Sequence, residues 1–155
     1  MNTNQLTQIQ AYGITLLRVV LGLVFLMHGG QKLFVYGLEG VTGSFAQMGI
    51  PAATFVALFT TAVEFGGGLA LLLGLFTRAA AALTAVVMLG ALFTVHLAAG
   101  FFLPNGYEFV LTLLAGSGAL VLLGSGPLAA DNLLGRRSAD SQEGTESPRR
   151  QKLAA

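Results

Sequence analysis

The sequence predicts an all-α fold, an integral membrane bundle of four transmembrane helices followed by a disordered polar tail. Three observations carry that expectation. Of the 155 residues, 54% are hydrophobic and only 10% are charged, and the mean hydropathy of +0.75 lies outside the range of soluble globular domains. A hydrocarbon core of roughly 30 Å needs about 20 apolar residues of helix, and four runs, 14–34, 53–75, 79–99 and 107–124, meet or approach that length. Charge is segregated as well, because Arg136, Arg137, Arg149, Arg150 and Lys152, five of the eight Lys and Arg residues, fall in the last twenty positions.

Residues 1–13 form an N-terminal segment without Lys or Arg. The apolar run behind it is too long for a signal core and has no small-x-small cleavage site, so the first helix is expected in the mature protein. After the first span, GLEGVTGSFAQMGIP (37–51) carries the Gly and Pro punctuation of a loop. The second span joins the third through a tight turn expected at Thr77-Arg78, and the third is free of charge from Ala79 to Val95. GFFLPNG (100–106) reads as the second loop, and the fourth span, the shortest, is expected to stand nearly upright or to borrow length from its flanks. A membrane domain over 14–134 is thus followed by a tail, 135–155, too polar to bury a core. Arg18, Arg78 and the five tail cations oppose Lys32 alone, which predicts both termini in the cytoplasm. Phe34, Tyr36, Phe101, Phe102 and Tyr107 flank the outer ends, where amphipathic rings favour the membrane interface.

The absence of cysteine excludes disulfides, thiol redox chemistry and cysteine-ligated iron–sulfur clusters. Electron chemistry would require a bound cofactor. Basic patches interleaved with aromatics are missing, so nucleic acid is not an expected partner, and no metal site is expected.

A charge inside a bilayer costs about 2.5–3.5 kcal/mol on insertion scales, so each ionisable residue within a span is a functional candidate with a partner to find. Positions 18, 22, 25, 29 and 32 share one stripe of the first helix, placing Arg18, Gly22, Gly29 and Lys32 towards the other helices. Glu64, Gly67 and Gly74 lie on a matching stripe of the second helix, and small residues beside a carboxylate let backbones approach. Depth along the spans separates two sets. His28, Lys32, His96 and Glu108 fall near the outer ends and form a candidate ligand pocket. Glu64 falls near mid-bilayer, with Arg18 as its expected ion-pair partner. Structural readings stand beside these: Lys32 as a snorkelling interface residue, each histidine satisfied by a backbone carbonyl, Arg18 and Glu64 as a purely structural pair, and Glu108 as a helix N-terminal residue. Met27, Met48 and Met88 read as core fillers.

Together LLRVVLGLVFLMHGGQKLF, EFGGGLALLLGLFTR, NGYEF and the closing GPLAAD, with Gly126, Pro127 and Asp131, resemble the DoxX family of small bacterial four-helix membrane proteins over about residues 14–134. The resemblance implies a bacterial inner-membrane protein, and an oxidoreductase or oxidoreductase subunit linked to quinones, catechols or the oxidative-stress response. A specific thiosulfate reaction is not transferred, because the chain lacks the extra domain of some relatives.

Three functions therefore compete. In the first, a quinone or quinol is held in the apolar bundle, with His28, His96 and Lys32 as hydrogen-bond donors and Glu108 or Glu64 as a proton relay. A haem between His28 and His96 is a variant that the resemblance does not suggest. In the second, Glu64 couples protons to the transport of a small molecule, with a homodimer supplying symmetry. In the third, the protein is an accessory subunit of a membrane redox complex whose basic tail binds partners or anionic lipid.

Overall fold

The computed structural model describes residues 3–132, and every regular element in that range is helical. Helix α1, Thr3–Gly30, starts well before the expected span and runs into a π-helical turn at Gln31–Tyr36. Gly37, at φ +67°, breaks the direction of the chain. There follow α2 (Gly37–Gln47), α3 (Ala53–Leu73), α4 (Thr77–Ala99) and α5 (Glu108–Leu123). The α1 segment with its continuation, α3 and α4 are long and apolar enough to cross a membrane, and α5 is a shorter apolar helix. The polar tail expected at 135–155, with its five basic residues, lies outside the described residues.

Two boundaries differ from the sequence expectation. Residues 37–47 are the helix α2 rather than a loop. Its glycines suggested punctuation, but Val41 is buried and tertiary packing outweighs the weak propensity. The turn between α3 and α4 lies at Gly74–Phe76, not at Thr77-Arg78. Gly74 takes the left-handed conformation (φ +68°), and Leu75 N–H returns to Ala70 O at 2.9 Å, ending α3 as a glycine C-cap does. Thr77 already begins α4.

The bundle is apolar on its outside. Only about a third of the most hydrophobic stretch of each long helix is buried (28%, 33% and 33%), while Leu16, Met27, Leu58, Val86 and Leu122 are exposed. That surface suits lipid, where the hydrophobic effect does not drive helices together and close packing must do so. Packing is tightest between α1 and α3. A Cβ on Gly29 would run into the backbone of Phe65, one on Gly68 into the backbone of Leu26, and one on Gly22 would stand 2.7 Å from Leu72 N. Gly67, the expected packing residue, faces Thr84 of α4 instead, at 3.3 Å, so its neighbour Gly68 carries the contact with α1. Thr84 in turn donates to Ser117 Oγ at 3.2 Å, tying α4 to α5.

Arg18 organises one end of this bundle. It is 1% exposed and donates to the carbonyls of Leu71 and Leu72, the latter at 3.0 Å, and to those of Ser125 (2.9 Å) and Leu128. Leu71 and Leu72 belong to the last turn of α3, whose carbonyls carry the negative end of the helix dipole; Leu71 O also accepts the N–H of Gly74 at 3.1 Å. Arg18 is therefore satisfied by helix-end and return-segment carbonyls. The ion pair expected with Glu64 does not form, because Gly22 already stands level with Leu72, about 12 Å of helix beyond Glu64, and Arg18 lies another turn away. Gly74 is confined by the same construction, since a Cβ there would lie 2.9 Å from the Arg18 guanidinium and run into Ala129.

Asp131 completes that end from the return segment. Its carboxylate accepts the N–H groups of Phe76 (2.7 Å) and Thr77 (3.0 Å) at the start of α4, where the helix dipole favours an anion. Burial would raise its pKa, but those backbone hydrogen bonds and the Arg18 charge outweigh burial and hold it below its ordinary value.

Two outcomes are expected. Gly68→Ala lowers the thermal midpoint in detergent, by about 1–3 kcal/mol of overpacking, whereas Gly13→Ala, where a Cβ meets nothing within 4 Å, leaves it unchanged or slightly higher. Because the Asp131 pKa is depressed by folding, its stabilisation is complete above the unfolded value of about 3.9 and fades as pH falls through the folded value. Thermal melts of wild type and Asp131→Asn should therefore differ most at neutral pH and converge in acid.

Candidate functional site

Away from that end, three helices widen into π turns. They are Gln31–Tyr36 after α1, Val63–Gly67 inside α3 and Leu92–His96 inside α4. Each carries one ionisable candidate: Lys32, Glu64 and His96. A π turn adds a residue to the helical repeat and re-aims the side chains around it, and such turns are frequent at functional sites. Nothing in the hydrophobic periodicity announced them.

Lys32 Nζ meets Glu64 Oε1 at 2.6 Å, with side chains 22% and 5% exposed. Gly29 makes this possible, because its missing Cβ lets α1 lie against the backbone of Glu64 and Phe65. Glu64 Oε2 is buried and has no donor among the described residues. A buried pair gains from its low-dielectric surroundings only when its remaining hydrogen-bonding positions are filled, so this pair is half satisfied.

The pair stands in the wall of a cavity of about 380 Å³. Phe25 and His28 line it from α1, Phe45 and Met48 from α2 and the turn after it, and Met88, Val95 and His96 from α4. The Leu103–Gly106 loop and Phe109 and Leu113 of α5 close the ring. His28 packs its ring against Phe109, with centroids 6.0 Å apart. His96 holds Asn105 O through Nδ1 at 2.9 Å. A carbonyl oxygen only accepts, so Nδ1 carries the proton and Nε2 of the neutral ring is left as an acceptor.

His28, Lys32 and His96 thus share one cavity. Glu108 does not join them. Its Oε1 accepts Leu103 N–H at 2.7 Å, which fixes the loop ahead of α5, while its neighbour Phe109 faces the cavity. Glu64 takes the place expected for Glu108, since depth counted from the ends of the apolar runs put it at mid-bilayer and could not register α2 covering that end. Phe45, Met48 and Met88 are cavity residues that the sequence offered only as loop and filler. The signal that could have found α2 is the spacing of Val41, Phe45 and Met48, one face of a helix at 3.6 residues per turn.

The family model described as DoxX matches residues 13–97. A Bacillus subtilis (strain 168) protein named "Putative oxidoreductase CatD" is 40% identical over 119 residues, 77% of this chain and 84% of the relative. "Uncharacterized membrane protein Rv3486" of Mycobacterium tuberculosis is 37% identical, over 79% of this chain and 81% of the relative. "Inner membrane protein YqjF" of Escherichia coli K12 is 30% identical, over 84% and 98%. No solved structure matches the chain.

Removing one member of the ion pair strands the other. Lys32→Met is expected to cost about 3–5 kcal/mol, measured by denaturation in detergent, because it leaves the Glu64 charge buried alone. Adding Glu64→Leu to Lys32→Met should recover most of that loss, the double-mutant signature of a pair retained for something other than stability.

Proposed function

The chain belongs to the DoxX family of membrane proteins, and from that premise we propose that it is an inner-membrane oxidoreductase, or the membrane subunit of one, acting on a quinone, a quinol or a small aromatic compound. The observation that carries this reading is the cavity itself, where apolar and aromatic walls meet the Lys32–Glu64 pair and two histidines. Supporting it from outside, the B. subtilis relative is named as an oxidoreductase and the E. coli relative as an inner-membrane protein. The distribution of Arg18, Arg78 and the tail cations against Lys32 favours cytoplasmic termini, which would open the cavity towards the opposite leaflet.

The chemistry follows from what such a ring needs. Converting a quinone to a quinol takes two electrons and two protons, and each oxygen must be met by a group that holds or moves a proton. Lys32 carries two ammonium protons beyond the one shared with Glu64, His28 adds an imidazole, and Glu64 has a carboxylate oxygen free to take a proton. Phe25 and Phe109 supply flat apolar walls. Without a cysteine, the electrons would pass through a bound cofactor or to and from a separate donor or partner subunit.

Protein purified in mild detergent is expected to carry a quinone in its organic extract, seen by absorbance and mass spectrometry in near-stoichiometric amount. His28→Ala should insert normally and lose it. An empty protein that also takes up no added quinone or quinol would reject the reading and return weight to transport or scaffolding.

A further inference from the structure

We propose that the cavity selects the reduced, hydroxyl-bearing form of its aromatic ligand over the oxidised form, with Glu64 as the selecting residue. The proposal rests on the assignment of this cavity to a redox-active aromatic compound and names which form it prefers.

Three features lead there. Glu64 is 3% exposed and stands in the cavity wall. Of the buried side-chain oxygens without a partner among the described residues, its Oε2 is the one that belongs to a carboxylate. A buried polar group left without a partner costs about 1–3 kcal/mol, more when charged, and rotation about the terminal torsion of a glutamate has only broad wells. The carboxylate can therefore turn an oxygen to a donor that enters the cavity. His96 also lines the cavity, and with its Nδ1 committed to Asn105 O its other ring nitrogen is left as an acceptor.

A quinone carbonyl has lone pairs and no proton, so it satisfies Lys32 and leaves Glu64 and His96 as they are. A hydroxyl satisfies both kinds of partner at once, donating to Glu64 while its oxygen accepts from Lys32. Two hydroxyls on one ring match two acceptors. Lys32 and Glu64 cancel in formal charge, so the site does not call for an ionised ligand. Its volume of about 380 Å³ is at the small end of ligand pockets, roughly 300–1,000 Å³. That suits a single ring, with any lipid tail left in the bilayer.

The test is a binding series by anaerobic titration calorimetry on the intact chain in mild detergent. Its probes are 2,3-dimethoxy-5-methyl-1,4-hydroquinone, the matching benzoquinone, and the hydroquinone with both hydroxyls methylated. The hydroquinone should bind about tenfold or more tighter than either other probe, as expected when a buried acceptor gains or lacks its donor. In Glu64→Gln, which keeps the shape but replaces one acceptor oxygen by a donor, that preference should shrink or reverse. Because wild type alone gives the ranking, a Gln variant that fails to fold does not protect the proposal. Equal or tighter binding of the benzoquinone would overturn the selectivity and leave the quinone-linked reading standing. Binding by none of the three would overturn both.

Discussion

A guanidinium buried in an apolar bundle is the constraint from which the rest follows. Inside a bilayer every backbone group and every charge must find its partner within the protein, and Arg18 does so by gathering carbonyls from the end of α3 and from the return segment after α5. These carbonyls lie where α3 ends and where the chain returns after α5. Asp131 performs the opposite service for the start of α4, so a cation sits where the helix dipole is negative and an anion where it is positive. With Arg18 spent on carbonyls, Glu64 pairs with Lys32 among the described residues.

The glycines decide how far apart these two devices lie. Gly22, Gly68 and Gly29 let α1 and α3 touch backbone to backbone along about two turns, which locks their antiparallel register. In that register Arg18 reaches the end of α3 and Lys32 reaches its middle. A shift of one turn would strand both cations, so steric contact and charge pairing specify the same alignment. Agreement between independent levels is what gives a sequence a single structure.

Much of the fold was legible because its cause is legible: apolar runs of bilayer length give the three long helices, and a shorter run gives the fourth. Along the stripe expected to face inward, Arg18, Gly22 and Gly29 are buried and Lys32 is part-exposed. What failed had physical reasons. α2 was hidden because Gly37, Gly40, Gly43 and Gly49 look like punctuation, while its stability comes from Val41 and from packing on α3. The partners of Arg18 and Glu64 were exchanged because depth was counted in residues from span ends, and a carbonyl cluster has no sequence signature at all. The π turns escaped because they alter the helical repeat locally without altering composition.

The two ends of the bundle therefore differ in kind. At the Arg18 end Arg18 meets four carbonyls and Asp131 two backbone N–H groups, and the glycine turn leaves no room. At the Lys32 end three helices depart from regular geometry, a cavity remains, and one carboxylate oxygen has no donor among the described residues. Stability alone would favour well-packed apolar side chains in place of that pair, which commonly match or exceed a buried ion pair. A fold that satisfies Arg18 so completely has the means to satisfy Glu64 too. That it leaves the buried oxygen without a donor among the described residues, in the wall of a cavity that His96 also lines, makes sense if a ligand hydroxyl completes the network.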